Sequence, residues 1–208
     1  MFIRHRSFCV VLGISPLALV TASASASIVA DGGFENPALG PGQFWYNATG
    51  SAWTFTGNAG VDHPFSAFYA PPPPEGVQAA FLQSHQSSTF HYGAFSQAVN
   101  LPSGGSYVLS YLHAGRPEMS GWGGNVAYEV LLDSLVIATS STISGQAYTP
   151  VSVPFSATAG PHVLTFRVSP SQPLGDNTSF IDDVGIVPAP GSAGLATLAG
   201  LAALRRRR

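Results

Sequence analysis

The 208-residue sequence contains no lysine and only one cysteine, Cys9, and charged residues make up only 9% of it. Soluble domains usually carry about 25% charged residues. The missing lysines and the low charge argue against a lysine-rich cytosolic surface and against a basic nucleic-acid binder. Beyond Cys9, no thiol remains for a disulfide, a cysteine–zinc site or thiol catalysis.

The few charges are placed unevenly along the chain. Six of the eight arginines lie within the first six or the last four residues. Only Arg116 and Arg167 lie between them, together with all ten acidic residues. An acidic body with basic ends predicts a single domain flanked by processing segments.

Residues 1–26 have the pattern of a secretory signal peptide. Arg4 and Arg6 supply the positive start, residues 8–20 form an apolar stretch, and the small residues 21–26 suit signal peptidase. A permanent membrane helix is the alternative, but its apolar core would be too short. We therefore expect an exported protein that loses Cys9 with its leader.

The carboxyl-terminal tail has three parts. Val187-Pro188-Ala189-Pro190 is followed by small and apolar residues as far as Leu204, and four arginines close the chain. As a helix, residues 191–204 would span about 21 Å, which is short of the ~30 Å hydrocarbon core. The arginines would hold its end on the cytoplasmic side.

This tail resembles a PEP-CTERM sorting signal of Gram-negative bacteria, with Ala189 in place of the usual glutamate. The resemblance implies transient membrane anchoring through residues 188–208 and removal by an exosortase. It also implies a final location at the cell surface or in the extracellular matrix, in association with exopolysaccharide. An ordinary carboxyl-terminal membrane helix is the alternative.

Residues 27–187 predict one all-β domain. In 107–113, Tyr107, Leu109 and Tyr111 share a face, as the period of two in a strand requires. Leu132-Asp133-Ser134-Leu135 predicts a tight turn between paired strands. Eight to eleven strands separated by Gly, Pro, Ser and Asn predict an antiparallel two-sheet sandwich. The clearest strand patterns are 77–83, 90–99, 107–113, 126–132, 147–155, 162–168 and 179–187.

Two motifs bracket this domain, Asp31-Gly32-Gly33-Phe34-Glu35-Asn36-Pro37 near its start and the segment 175–184 at its end. With the shorter motifs at 50–55, 75–83, 95–99 and 105–110, they resemble the galactose-binding-like jelly rolls of carbohydrate-binding modules and of a cell-wall domain family. The resemblance implies a jelly roll whose first and last strands lie side by side, bringing Phe34 near Ile181. It also implies a structural calcium ion between them.

The candidate calcium ligands are Gly33, Glu35, Asp182 and Asp183, with Asp31 as a further candidate. Calcium takes six to eight oxygen ligands, and Gly33 would let a carbonyl group point inward. Neighbours on a strand point to opposite faces, so only one of the two aspartates is expected to be a direct ligand. Asp182 is favoured because it would share a buried face with Val184 and Ile186. Alternatively, these acids cap turns or accept backbone hydrogen bonds without a metal.

Exposed aromatic side chains are candidates for sugar binding because sugar rings stack on aromatic faces. Trp122 lies in a glycine-rich loop, Trp45 and Tyr46 precede a turn, and Tyr69 precedes four prolines. Arg116 could grip a ligand or could pair with Glu118 or Glu75. For each aromatic residue, packing is the alternative role, and Trp53 is expected in the core.

No nucleophile elbow, phosphate loop, zinc-binding helix or dinucleotide fingerprint is present. We therefore expect a protein that is not an enzyme and that binds or embeds in extracellular polysaccharide. A purely structural matrix protein without a specific sugar site is the first alternative. A glycoside hydrolase or lyase with paired carboxylates is the second.

Overall fold

The computed structural model describes residues 27–86, 92–119 and 123–189, and these ranges contain eleven β-strands and no helix. The predicted leader, Trp122, Pro190 and the predicted tail helix lie outside the described residues. The strands are β1 (Phe44–Tyr46), β2 (Thr54–Thr56), β3 (Ala59–Asp62), β4 (Ala79–Ser84), β5 (Ala94–Leu101), β6 (Gly105–Gly115), β7 (Val126–Leu132), β8 (Leu135–Thr142), β9 (Thr149–Ala157), β10 (Gly160–Val168) and β11 (Asn177–Pro188).

The strands form two antiparallel sheets. One has six strands in the order β1-β3-β4-β11-β6-β9, and the other has five in the order β2-β5-β10-β7-β8. This confirms the predicted all-β class and the two-sheet sandwich, and the arrangement is consistent with a jelly roll. No membrane-spanning helix is found within the described part of the chain.

Alternating apolar residues fill the space between the sheets with aromatic rings. The Phe34 ring lies 5.1 Å from Trp53 and 5.4 Å from Phe95, and Phe95 lies 5.1 Å from Phe166. Trp53 is only 2% exposed, which confirms its predicted place in the core. Such ring pairs add to the free energy gained by burying apolar area.

The predicted tight turn joins β7 to β8. Leu132 pairs with Leu135 across it, and Asp133 adopts a left-handed φ of 57°. One Asp133 oxygen accepts the Val163 N–H, and the other forms a hydrogen bond with His162 Nδ1. These two hydrogen bonds, to His162 and Val163, attach the turn to the first half of β10.

The two ends of the domain meet as predicted, but the amino-terminal segment does not form a strand. Ile28 N–H donates to the Ile186 carbonyl at 3.1 Å, and Val184 N–H donates to Gly32 at 3.0 Å. Phe34 and Ile181 belong to the same buried core. The segment turns rather than extends because Asp31 and Phe34 have left-handed φ values of 50° and 58°.

The predicted domain boundary after Val187 falls within a strand. β11 continues through Pro188, and Ala189 N–H donates to the Ser106 carbonyl at 2.9 Å. The first three residues of the predicted sorting motif, Val187, Pro188 and Ala189, are therefore attached to the sandwich.

Candidate functional site

Four aromatic residues are exposed on and near edge strand β1, and we call them the aromatic patch. Phe44 is 41% exposed, Trp45 43%, Phe65 88% and Tyr69 52%. Phe44 and Trp45 lie on β1 itself. Phe65 and Tyr69 lie in the covering segment, residues 63–78, which connects β3 to β4.

Backbone contacts hold the covering segment against the turn that leads into β1. Gly42 N–H donates to the Pro64 carbonyl at 3.0 Å, and His63 N–H donates to Gln43 at 2.9 Å. Beside these contacts lies an open cavity of about 360 Å³ that is lined by Leu39, Gly42, Gln43, Phe44 and Trp45.

Phe65 and Tyr69 are the two patch residues with strained backbones. Their φ values are 73° and 55°, in the left-handed region that bulky side chains rarely occupy. Each such conformation costs on the order of 1 kcal/mol or more. The covering segment thus holds two aromatic rings in solvent at a conformational cost.

Aromatic rings pack behind Phe44, on the outer face of the six-stranded sheet. Trp45, the next residue of β1, faces the other side of the strand, where its pairing partner Val61 belongs to the core between the sheets. Phe68 of the covering segment lies 5.1 Å from Phe44 and 4.6 Å from Phe81. Tyr46 packs edge-on against Phe81 at 5.0 Å. The Arg116 guanidinium lies 5.0 Å from the centre of the Phe68 ring.

A chain of polar contacts continues this support. The Tyr46 hydroxyl donates to Gln83, and the Gln83 amide donates to Asp176. Arg116 pairs with the same Asp176 oxygen at 2.8 Å and donates to the Ala67 carbonyl at 3.0 Å. Burial raises the pKa of Tyr46 to about 12, so this hydroxyl remains a hydrogen-bond donor.

The structure therefore separates the predicted sugar-binding residues into two groups. Trp45 and Tyr69 belong to the exposed patch, whereas Tyr46 is half-buried and Arg116 is only 4% exposed. Arg116 pairs with Asp176, not with Glu118 or Glu75 as expected from the sequence. Trp122 lies outside the described residues.

Sequence reasoning missed Phe44 and Phe65. A lone phenylalanine is more often buried than exposed, so neither residue carried a signal by itself. The position of Phe44 next to Trp45 and Tyr46 was the one available sign, since three consecutive aromatic residues cannot all face one core.

The predicted calcium ligands lie in a second site, the acidic pocket, at the junction of the chain ends. Its cavity of about 420 Å³ is lined by Gly33 and four acidic residues, Asp31, Glu35, Glu75 and Asp183. Glu75 lines this pocket as well, although it is not among the calcium ligands predicted from the sequence.

The acids of this region accept backbone hydrogen bonds that link three segments of the chain. Asp31 accepts the Glu35 N–H at 2.9 Å, and Glu35 accepts the Val77 N–H at 2.8 Å. Asp182 accepts the Glu75 N–H at 3.0 Å. These bonds tie residues 31–36, the end of the covering segment and β11 to one another.

No arginine partner compensates this negative charge within the described residues. Arg116 is paired with Asp176 and Arg167 with Glu129. The pKa of Glu75 is raised by burial and then by the charges of Glu35, Asp183 and Asp31. Across residues 27–86, 92–119 and 123–189, no three His, Cys, Asp or Glu side chains are grouped so that they could hold a metal ion.

Asp182 is fully buried, but on a different face from the one expected. The pairing of β11 with β6 shifts register between Asp182 and Gly185, and Asp183 has a φ of 51°. This bulge interrupts the alternation of side chains. Asp182 therefore shares the outer face of the sheet with Phe180, and the expectation that it lies beside Val184 and Ile186 is wrong.

Gly33 has a visible steric role in the acidic pocket. A Cβ atom at this position would overlap the Glu75 carboxylate. The absence of a side chain thus makes room for a neighbouring acid.

Comparison with known proteins identifies the fold. A scan of sequence-family models finds no match, and a search of curated proteins finds none either. Among solved structures, TmCBM61 in complex with beta-1,4-galactotriose matches with a TM-score of 0.50 and 18% identity, covering 79% of this chain and 100% of that one. The chain shares its fold with a carbohydrate-binding module.

Two further solved structures are less similar. A family 35 carbohydrate-binding module from Clostridium thermocellum has a TM-score of 0.45 and 15% identity, covering 69% of this chain and 96% of that one. The K1 cleaved adhesin domain of Lys-gingipain from Porphyromonas gingivalis W83 has a TM-score of 0.45 and 13% identity, with coverages of 67% and 92%.

Proposed function

We propose that this protein binds or embeds in extracellular polysaccharide through the aromatic patch. The observation that carries the proposal is the joint exposure of Phe44, Trp45, Phe65 and Tyr69 on and near β1. Aromatic faces stack on the apolar faces of sugar rings. The shared fold of the carbohydrate-binding module TmCBM61 supports the same class of ligand.

The packing behind Phe44 and against the covering segment makes this part of the patch suitable for binding. Phe68 packs directly behind Phe44, and Arg116 fixes the Ala67 carbonyl in the covering segment. A site that is held in place before binding loses less conformational entropy when the ligand arrives. Tyr46 and Arg116 would act as positioning residues, without themselves contacting the sugar.

Replacing Trp45 by alanine should weaken retention on an exopolysaccharide matrix about tenfold, because one stacked ring is worth about 1 kcal/mol or more. The measurement is affinity electrophoresis of the purified protein. The matched control is Val163→Ala, since Val163 is 42% exposed but lies on β10 of the other sheet.

Equal retention of wild type and Trp45→Ala would contradict the role of the patch. No retention of the wild type by any polysaccharide would favour a structural matrix protein. We propose binding without catalysis, so incubation with the polysaccharide should release no sugar. Release of sugar would instead support a glycoside hydrolase or lyase.

We also propose that the protein is exported and sorted to the surface of a Gram-negative cell. The support is the sequence pattern of both ends, with signal peptidase acting on residues 1–26 and an exosortase on the tail. The mature protein should then lack Arg205–Arg208, which intact-mass measurement on cell-surface material would reveal. Retention of all four arginines would contradict exosortase processing.

A structural calcium ion in the acidic pocket is part of the proposal. The donors are hard carboxylate oxygens, as calcium prefers, and no arginine is paired with them. Glu35, Glu75 and Asp183 line the cavity, with Asp182 buried behind them. Because no three of these side chains are grouped closely enough to hold the ion by themselves, backbone carbonyl groups and water would have to supply most of its six to eight oxygen ligands. Such an ion would neutralise charge where the chain ends meet, without taking part in sugar chemistry.

A further inference from the structure

The two sheets have four edge strands, and these edges differ in how they are protected. An edge strand presents unpaired N–H and C=O groups, which natural proteins usually block with short strands, charges or prolines. β1 and β2 are only three residues long. β9 has nine residues but contains Pro150 and Pro154.

β8 is the edge strand that lacks all of these devices. It runs for eight residues, Leu135–Thr142, without a charged residue or a proline. Its one protective feature is a β-bulge near its start, opposite Val130 and Leu131, and residues 138–142 keep a regular register with β7. Among the described residues, none of its backbone groups has a hydrogen-bond partner outside the β7 pairing.

Exposed aliphatic side chains lie at both ends of this strand. Leu135 is 68% exposed and Val136 40%, while Ile143, directly after the strand, is 60% exposed. The open backbone edge thus begins and ends beside apolar surface that the described part of the chain leaves uncovered.

We propose that the edge of β8 pairs with the same edge of a second copy of this chain, in an antiparallel dimer with twofold symmetry. Every second residue of β8 directs its N–H and C=O groups away from β7, and an antiparallel partner would satisfy them. The two five-stranded sheets would then join into one continuous ten-stranded sheet across the dimer axis.

The structure favours a second copy as the partner for two reasons. First, strand pairing needs two open edges, and each copy supplies one, since its other edge strands are three residues long or carry prolines. The contact is therefore isologous and closes as a dimer. Second, Asp133 of one copy would lie near the uncharged turn 143–146 of the other, so no like charges meet.

The test uses protein purified after expression of the full 208-residue chain, measured by light scattering during size exclusion. The wild type should have twice the monomer mass, and Thr139→Lys combined with Ser141→Lys should have the monomer mass. Both residues are exposed on β8. The matched control is Ser152→Lys combined with Ser156→Lys, which adds the same charge to exposed positions on β9 and should leave the dimer intact.

A second variant tests the dimer independently, so that the proposal can be judged even if the lysine variant does not fold. Thr139→Cys lies near the centre of β8, where the two copies would bring identical residues within disulfide reach. Mild oxidation should produce a covalent dimer in high yield, whereas Ser152→Cys on β9 should stay monomeric on a denaturing gel. Cys9 is the only other cysteine in the sequence and belongs to the predicted leader.

A wild type that is monomeric at its highest soluble concentration would overturn the proposal. So would a Thr139→Cys protein that cross-links no better than Ser152→Cys, or a dimer that survives lysines on β8. Glycan binding plays no part in these measurements, so their outcome is independent of the function proposed for the aromatic patch.

Discussion

Asp62 is a carboxylate buried on the outer face of the six-stranded sheet without a hydrogen-bond partner. It is 1% exposed, and neither of its oxygens accepts a hydrogen bond. Burial raises its pKa to about 7, although the nearby Ser66 hydroxyl, which makes no hydrogen bond of standard geometry with it, and the charge of Arg116 act in the opposite direction. The Tyr148 hydroxyl, whose pKa is raised by burial and then by Asp182 and Asp62, also lacks a partner.

Replacing Asp62 by asparagine should stabilise the protein at pH 8 by about 1–2 kcal/mol. The folded state holds the Asp62 proton up to about pH 7, whereas the unfolded chain releases it near 3.8. Raising the pH through this window therefore removes more stability from the wild type than from the variant, which among the described residues keeps only Asp182 as a buried carboxyl with a pKa raised by burial to about 7. Urea denaturation at pH 5 and pH 8 measures the difference.

The same experiment on Glu118→Gln provides the control, because Glu118 is an exposed acid and its replacement leaves the buried carboxyl groups in place. That variant should lose stability as the pH rises from 5 to 8, as the wild type does. If Asp62→Asn has the same pH dependence as the wild type, Asp62 is not the buried group that titrates in this range.

At the scale of elements, the β7–β8 turn depends on one side chain. The Asp133 carboxylate bonds Val163 and His162, and the residue holds a left-handed φ. Asp133→Ala should lower the free energy of unfolding by about 1 kcal/mol through the lost hydrogen bonds. Ser134→Ala in the same turn should change it little, and chemical denaturation of both variants tests this. Equal losses would show that the turn does not depend on the carboxylate.

The long strands could be predicted from the sequence, whereas the short ones could not. β6, β7 and β10 show clear alternation, because one of their faces packs against the aromatic core. β1, β2 and β3 have three or four residues each, too few for a period of two to stand out. Their positions are set by pairing with β4 and β5, which local sequence does not encode.

The candidate sites were predictable only in part, for a related reason. Trp45 and Tyr69 could be chosen as exposed aromatic residues, but the burial of Tyr46 and Arg116 depends on Phe68 and Asp176, which are distant in sequence. The bulge after Asp182 reverses the expected face of that residue. Such irregularities leave no periodic trace in the sequence, since one extra residue simply shifts the pattern.

At the scale of the whole molecule, the acidic pocket lies where both ends of the domain meet. If calcium binds there, saturating calcium should raise the Tm, and EDTA should lower it, because an ion that binds only the folded state stabilises it by mass action. Glu35→Gln should weaken this response, since Glu35 lines the pocket. Differential scanning calorimetry with each additive measures the shift.

The matched control is Glu118→Gln, which removes an exposed acid away from the pocket and should keep the full response to calcium. A Tm that is the same in calcium and in EDTA would contradict the proposal. The acids would then serve only as acceptors for the backbone N–H groups of residues 31–36 and 75–78.

The closeness of the two ends also bears on how freely the chain order could be rearranged. The Ser27 hydroxyl accepts the Ile186 N–H at 3.3 Å, so residues at the start and the end of the domain touch. A short linker could join Pro188 to Ser27, and new termini could be opened at the exposed Asp133–Ser134 turn. Such a circular permutant would keep every strand pairing, because the architecture depends on which segments are neighbours and not on where the chain is cut.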